Sequence, residues 1–230
     1  MDVAIIGGTG RQGYGLALRL GKAGHHVTIG SRSLERAVET AGRARERVGD
    51  FAQIDGDTND RAAAAADVVF VTVPHSAQAE VYGAIGPHLR PRVIVVDTTN
   101  PIAVHVKARP GEIQTTQELS SAEEAAALLP AGARLVAGFQ TVAAAKLQDV
   151  ERPLEGDVLL CGDDDEAKQV VGPLVVQMPG LRWVDAGGLS MARAVERLTG
   201  LLISVNKRYR IEGATVHLHG HPTFGHPDLT

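Results

Sequence analysis

The sequence has little of what several functional classes require. It contains one cysteine, Cys161, so an internal disulfide is excluded, and the acidic residues 163–166 beside it disfavour a reactive thiolate. Aromatic residues make up only 3% of the chain and the formal net charge is −4, which argues against base stacking and against a phosphate-tracking basic face. We therefore expect an inert thiol and no nucleic-acid partner.

Long apolar runs are also missing. No stretch approaches the roughly 18 to 20 residues that a bilayer-spanning helix needs, and Asp2 stands where a secretory leader would carry Lys or Arg. Hydrophobic residues nonetheless make up 44% of the 230 residues, which is enough for a sizeable core. We expect a soluble, cytoplasmic protein with no membrane partner.

Short apolar runs rich in β-branched residues alternate with helical stretches, which is typical of an α/β fold with a doubly wound parallel sheet of the Rossmann type. The run 68–73 is apolar apart from Thr72, so we place it near the middle of the sheet. Eight strands are predicted in one doubly wound domain, at 3–6, 26–29, 51–54, 68–73, 93–96, 135–139, 158–161 and 182–184. Helices are predicted at 13–23, 34–48, 76–85 and 165–178, with a further one running through 125–129 behind a Ser121–Glu124 capping box.

The pattern changes after Gly187 and Gly188. Apolar residues then recur at alternating spacings of three and four, which predicts a long amphipathic helix with Ser190 as its N-cap and a turn at Gly213. We therefore expect a doubly wound domain at 1–186 and a small helical domain at 187–230; a sheet ending after its sixth strand would move the boundary to Val150. The polar stretch 107–117 is predicted as a surface loop. The apolar residues that define the amphipathic helix predicted after Gly188 are Met191, Val195, Leu198, Leu202, Val205 and Tyr209.

The strongest local signal is a glycine turn between the first strand and the first helix. Gly8, Gly10 and Gly13 fit G-x-G-x-x-G, in which the glycines permit the tight turn, the approach of a pyrophosphate and close helix packing. Amides at the helix N-terminus would face the phosphates. The alternative is an ordinary tight turn.

The end of the second strand indicates which dinucleotide binds. An NAD-selective protein usually has Asp or Glu there to accept from the ribose 2′-hydroxyl, whereas this chain has Ser31 and Arg32, with Arg36 one helical turn later. A hydroxyl and two guanidinium groups suit a 2′-phosphate, so NADP is the inference. The alternative is that both arginines are simply solvated charges at a helix start.

Ligands in such sheets sit beyond the carboxyl ends of the strands. Pro74 and Pro101 stiffen loops that would run beside the ribose and nicotinamide, and the small residues 141–145 leave room for a flat ring or simply start an Ala-rich helix. His75 is either a ligand contact or a satisfied polar residue. No G-x-S-x-G elbow, Cys/His pair or H-E-x-x-H motif occurs, so no catalytic acid–base residues are predicted. A metal site is also not expected, although His217, His219, His221 and His226 crowd the tail.

With these features in place, the chain resembles the NADPH-dependent F420 reductases, also called F420H2:NADP oxidoreductases. The segments that carry the resemblance are VAIIGGTGRQG at 3–13, GLALRL at 15–20, GSR at 30–32, CGDDDEAK at 161–168 and DAGGLSMARAVERLT at 185–199. The sequence departs from the archaeal pattern at Gln140 and Ala143, where His and Pro are expected, and its tail after Arg210 is longer.

The resemblance implies hydride transfer between NADP(H) and the deazaflavin coenzyme F420, which needs stacked rings and no protein acid or base. By the family's pattern, Thr9, Gly10, Arg11 and Gln12 hold the pyrophosphate, and Ser31, Arg32 and Arg36 hold the 2′-phosphate. The residues bordering ribose and nicotinamide would be Val73, Pro74, Asn100 and Ala144, and those lining the deazaflavin cleft Gln140, Thr141 and Val142.

Two other functions compete with this one: an NADPH-dependent reductase of a small imine or carbonyl compound, and a non-catalytic NADPH-binding regulator. We also expect a homodimer formed through the apolar stripe of the last helix. The basic residues Lys207, Arg208 and Arg210 are a candidate docking surface for the anionic tail of F420.

Overall fold

The computed structural model describes residues 1–101 and 119–220. The loop predicted at 107–117, His221 and His226 lie outside this part of the chain. Six strands form a parallel sheet in the order β3-β2-β1-β4-β5-β6, so the chain reverses its direction of travel across the sheet between β1 and β4. These strands are β1 Asp2–Ile6, β2 His26–Ser31, β3 Ile54–Thr58, β4 Val68–Val71, β5 Ile94–Asp97 and β6 Arg134–Ala137.

Helices cover both faces of this sheet, as the continuous apolar strands predict. Successive residues of β4 pack into two different cores: Phe70 joins Ile5 and Leu16, whereas Val69 joins Ile6 and Tyr82. The predicted Rossmann-type α/β fold is thereby confirmed. The helices are α1 Arg11–Lys22, α2 Leu34–Val48, α3 Asn59–Ala65, α4 Gln78–Ile85, α5 Ser121–Leu128, α6 Ala144–Gln148, α7 Asp165–Val176 and α8 Ala192–Tyr209.

The last two strands form their own sheet, so the prediction of one eight-stranded sheet is wrong. β7 Gly156–Leu160 pairs in parallel with β8 Leu181–Asp185, and α7 connects them. Among the described residues, the backbone of this pair is bridged to the large sheet at one position, antiparallel between Ala137 and Cys161. An apolar run specifies a strand but not its partner, and here the chain meets β6 antiparallel at one residue pair and then diverges.

Three local predictions need correction because other packing decides them. β3 begins at Ile54, not at residue 51, since Phe51 is 69% exposed and the strand continues with polar residues at the sheet edge. The capping box is formed by Ser120 and Glu123, one residue before the predicted pair. Ser190 is not the N-cap of α8, because it lies inside a 3-10 turn, Leu189–Met191, whose N-cap is Gly188; the N-cap of α8 is Met191.

The amphipathic helix α8 is only partly covered. Val195 is buried and Leu198 half-buried, but Leu201 is 50% exposed and Tyr209 is exposed. The carboxyl half of the helix therefore presents apolar side chains to solvent. In the part of the chain that the structure describes, no helix combines the length and the apolar character of a membrane span.

Candidate functional site

The glycine turn lies between β1 and α1, where several backbone segments pack too closely for side chains. Gly8 donates its amide to the carbonyls of Ile5 and Gly30, at 3.1 and 3.0 Å. A Cβ on Gly13 would lie 2.7 Å from the Cα of Gly8 and 2.5 Å from Thr72 Oγ1, so α1 begins directly against the turn. Gly7, which the motif does not include, has φ +71° and is needed for the same turn.

The start of α1 fits a bound diphosphate. Its N-cap, Gly10, supplies no side-chain acceptor and its first turn holds no acidic residue. Within residues 1–101 and 119–220, the amides of Thr9, Arg11 and Gln12 donate to no protein acceptor. Unpaired amides at the positive end of a helix dipole form an anion site, which is the role the resemblance gives to Thr9–Gln12.

The end of β2 presents the three residues predicted to bind a 2′-phosphate. Ser31 is 7% exposed and its hydroxyl accepts a hydrogen bond from the amide of Ser33, the N-cap of α2. Arg32 and Arg36 stand on either side of that N-cap. Arg32 lies 3.9 Å from Glu80, but both side chains are largely exposed and the pair is weak. The two guanidinium groups are therefore available to an anion.

Asn59, at the start of α3, is a site residue that sequence reasoning missed. Its Oδ1 accepts from the amide of Gly7 at 3.4 Å, and a Cβ on Gly30 would lie 2.9 Å from the same oxygen. Asn59 thus ties the glycine turn to the end of β2. No local pattern marks this role, since the contact joins residues 52 positions apart in the sequence.

His75 follows Val73 and Pro74 at the end of β4, and the structure gives it a protein partner. Its Nε2 hydrogen-bonds with Glu124 Oε2 on α5 at 2.7 Å. Of the two interpretations that the sequence allows for His75, this hydrogen bond favours that of a polar residue satisfied by the protein itself. Val73 is half-buried beside the glycine turn, where a Cβ on Gly7 would lie 2.6 Å from Val73 Cγ1, and Pro74 is exposed.

Two buried carboxyl groups lie at the carboxyl end of β5. Burial raises the pKa of Asp97 to about 7, although Thr99 and Gln78 donate hydrogen bonds to it. Burial also raises the pKa of Glu196 to about 7, against hydrogen bonds from the amides of Ser121 and Ala122 at 3.0 and 3.2 Å. Sequence reasoning missed both, but an acidic residue ending an apolar strand and another inside an apolar helix stripe were available signals.

Asn100 and Gln140 meet around these groups. Asn100 Nδ2 donates to the carbonyl of Glu196 at 3.0 Å and to Thr199 Oγ1 at 2.8 Å. Gln140 Nε2 donates to the carbonyl of Asp97 at 3.0 Å. The ends of β5 and β6 are therefore held side by side, with part of α8 against both.

The segment 139–144 also contacts the glycine turn. Gln12 Nε2 donates to the carbonyl of Phe139 at 3.1 Å, and Phe139 adopts a left-handed φ of +70°. Thr141 is buried, Val142 is half-buried and Ala144 begins α6. The structure thus brings the predicted phosphate turn and the predicted deazaflavin segment together.

Other candidate residues lie apart from this arrangement. Cys161 is buried, and this burial raises the pKa of its thiol to about 11, in line with the unreactive thiol that the sequence predicts. Lys207 and Arg208 are exposed in the last turn of α8, and Arg210 ends the helix in the left-handed conformation. The rings of His217 and His219 lie 4.8 Å apart, but no cluster of three metal-ligand side chains occurs among the described residues.

Comparison with known proteins relates this arrangement to a family. The sequence model described as "NADP oxidoreductase coenzyme F420-dependent" matches residues 2–101. The F420-dependent NADP reductase of Methanothermobacter thermautotrophicus is 39% identical over 220 residues, covering 95% of this chain and 94% of that protein. The F420-dependent NADP reductase of Methanocaldococcus jannaschii is 37% identical over 221 residues, covering 95% and 98%.

Solved structures agree on the fold. A proposed F420-dependent NADP reductase from Arthrobacter sp. FB24 superposes with a TM-score of 0.78 at 22% identity, covering 96% of this chain and all of that one. A 3-hydroxyisobutyrate dehydrogenase from Mycobacterium tuberculosis gives 0.63 at 18% identity, covering 90% and 61%. Because it is 39% and 37% identical to the two archaeal enzymes over 95% of its length, the chain belongs to the family of F420-dependent NADP reductases.

Proposed function

We propose that this protein transfers a hydride between NADP(H) and coenzyme F420. The observation that carries the proposal is that the archaeal reductases align over 95% of this chain, so that the alignment is not limited to the nucleotide half. The contact between Gln12 and Phe139 supports it, since it places the phosphate turn beside the segment assigned to the deazaflavin. The imine or carbonyl reductase and the non-catalytic regulator are not favoured by these relatives.

The protein's contribution is to hold two flat rings in register. Bound together, the coenzymes supply the chemistry, because both the nicotinamide and the deazaflavin carry hydride. The unpaired amides of Thr9, Arg11 and Gln12 bind the diphosphate at the turn around Gly10, and Ser31, Arg32 and Arg36 bind the 2′-phosphate. Val73, Pro74, Asn100 and Ala144 border the nicotinamide, and Gln140, Thr141 and Val142 line the deazaflavin cleft.

Positioning supplies the rate enhancement in this proposal. Transfer needs the donor and acceptor carbons about 3 to 3.5 Å apart, and holding them there contributes several kcal/mol of the barrier lowering. His75 is hydrogen-bonded to Glu124, and Asp97 is fully buried and hydrogen-bonded to Gln78 and Thr99. We assign neither group a proton transfer to the coenzymes.

Mixing the purified protein with NADPH and oxidised F420 tests the function directly. We expect the visible absorbance of the deazaflavin to fall as NADPH is consumed in equal amount, and NADH to be a much poorer donor. Tight NADPH binding without loss of this absorbance would support the regulator instead. Turnover of a small imine or carbonyl compound, with F420 unreacted, would support the alternative reductase.

We further propose that two chains associate through the exposed apolar part of α8, that the protein works in the cytoplasm, and that its helical domain begins near residue 187. The half-covered stripe of α8 supports the first of these, because apolar residues on one helix face are usually covered.

Lys207, Arg208 and Arg210 are proposed to dock the anionic tail of F420; reversing their charge should raise the KM for F420 mainly at low salt.

A further inference from the structure

One buried hydroxyl connects two loops that the proposed function assigns to different coenzymes. Thr199 lies on α8 and is 7% exposed. Its Oγ1 donates to the carbonyl of Gln140 at 2.9 Å and accepts from Asn100 Nδ2 at 2.8 Å. We call this pair of hydrogen bonds the Thr199 bridge. It joins the loop after β5 to the loop after β6.

The Thr199 bridge fixes which way the Asn100 amide faces. Both protons of Nδ2 are used, one on Thr199 and one on the carbonyl of Glu196, so Oδ1 is left as the free acceptor. Gln140 is held in the same way: its side-chain Nε2 donates to the backbone carbonyl of Asp97, and its backbone carbonyl accepts from Thr199 Oγ1. In the described part of the chain, Asn100 Oδ1 and Gln140 Oε1 are buried without a hydrogen-bond partner. Each loop therefore keeps one oriented acceptor that no described residue of the chain satisfies.

We propose that Thr199 is a positioning residue for hydride transfer, acting through Asn100 and Gln140. The inference rests on the proposed function, in which Asn100 borders the nicotinamide and Gln140 the deazaflavin. A single hydroxyl bonded to both sets the distance between the two loops, and hence between the rings they border. Because a misplacement of about 1 Å can cost roughly 100-fold in rate, loss of this hydroxyl is costly even if each coenzyme still binds.

A matched series of variants tests the proposal. Thr199→Val keeps the shape of the side chain and removes the hydroxyl, Thr199→Ser keeps the hydroxyl, and Thr199→Ala repeats the loss without β-branching should the valine variant not fold. Val195→Ala is the control for a loosened helix, because Val195 is buried on α8 but takes no part in the Thr199 bridge.

Three quantities are compared across the series: the single-turnover rate of hydride transfer, the dissociation constants of NADPH and F420, and amide hydrogen exchange of the ligand-free protein around residues 100 and 140. For Thr199→Val we expect transfer about 10- to 100-fold slower, with dissociation constants changed less than about 3-fold and faster exchange at both loops. Thr199→Ser should stay within about 3-fold of the wild type. Val195→Ala should lower the melting temperature without slowing transfer.

Transfer at the wild-type rate in Thr199→Val would overturn the proposal, and so would equal slowing in Thr199→Ser or in Val195→Ala. Unchanged exchange at both loops in Thr199→Val would also contradict it, independently of activity. Failure of the proposed function is recognised separately, because the wild-type protein would then not reduce F420 at all.

Discussion

We assign the preference between the two dinucleotides to single residues at the end of β2. The sequence already showed that no carboxylate stands there, and the structure adds that Ser31 is buried beside the N-cap of α2 while Arg32 and Arg36 are free for an anion. Asn59 could not be found in this way, because it reaches the turn from α3 through a contact 52 residues apart in sequence. Local motifs reveal the backbone of such a site better than its distant supports.

Removing both arginines should separate the two dinucleotides. We expect Arg32→Ala combined with Arg36→Ala to weaken NADPH binding about 10- to 100-fold, since two charge-assisted contacts to the 2′-phosphate are lost. NADH binding should change less than about 2-fold, because it lacks that phosphate. Titration calorimetry with both dinucleotides measures this, and Arg152→Ala, which removes an exposed guanidinium elsewhere, is the control. Equal loss for NADPH and NADH would refute the assignment.

His26 should make stability depend on pH. Hydrogen bonds to Asp55 and Asp2, at 2.9 Å each, raise its pKa in the folded protein. A raised pKa means that the contribution is complete below the unfolded pKa of about 6.5 and is lost as the pH rises through the folded value. We therefore expect His26→Gln to lower the melting temperature more at pH 5.5 than at pH 8.5. The exposed His88→Gln is the matched control for replacing a histidine, and an effect of His26→Gln that does not vary with pH would contradict this.

Helices and strands were predictable in type but less so in register. The helix 34–48 was predicted at its observed bounds because its apolar period and its Ser33 cap coincide. The start of α5 was missed by one residue, since the sequence SSAEE offers two equally spaced capping boxes. Glu196 favours the first of these boxes, because its carboxylate accepts a hydrogen bond from the amide of Ser121, 75 residues away, at the first position of the helix. A contact between distant elements thus fixes a local boundary.

Two helical glycines should respond in opposite ways to alanine. A Cβ on Gly15 of α1 would lie 2.5 Å from the Cβ of Leu147 on α6, so Gly15→Ala should cost about 1 to 3 kcal/mol of unfolding free energy by overpacking. Gly42 of α2 has open space at that position, and Gly42→Ala should stabilise the protein by about 0.5 to 1 kcal/mol. Denaturant titration of both variants checks the pair. A stabilising Gly15→Ala would show that α1 and α6 are not closely packed.

At the scale of the whole molecule, strand pairing was the feature that the sequence could not supply. Eight apolar runs fit one sheet as well as they fit six strands plus two. In the structure, β7 pairs with β8 rather than extending the large sheet, and its chain meets β6 at the antiparallel bridge between Ala137 and Cys161. The long helix α8 shows a similar limit. Its period was clear, but the cover over its apolar stripe is uneven, because Val195 in its first half is buried whereas Tyr209 at its end is exposed.

The exposed half of α8 gives the test of the proposed homodimer. Leu201→Asp places a charge in the interface, so we expect the molecular mass in sedimentation equilibrium to fall from that of a dimer toward that of one chain. Val176→Asp alters a similarly exposed apolar residue on α7 and should leave the dimer intact. A single-chain mass for the wild type would contradict the proposed association.

Direct transfer between two held rings is tested most sharply by following the hydrogen itself. NADPH carrying deuterium on the transferred position of C4 is incubated with the protein and oxidised F420 in ordinary water, and the reduced coenzyme is analysed by mass spectrometry. We expect deuterium at C5 of the deazaflavin in nearly every molecule. Reduced F420 carrying hydrogen from the solvent at C5, or no reduced F420 at all, would contradict the account.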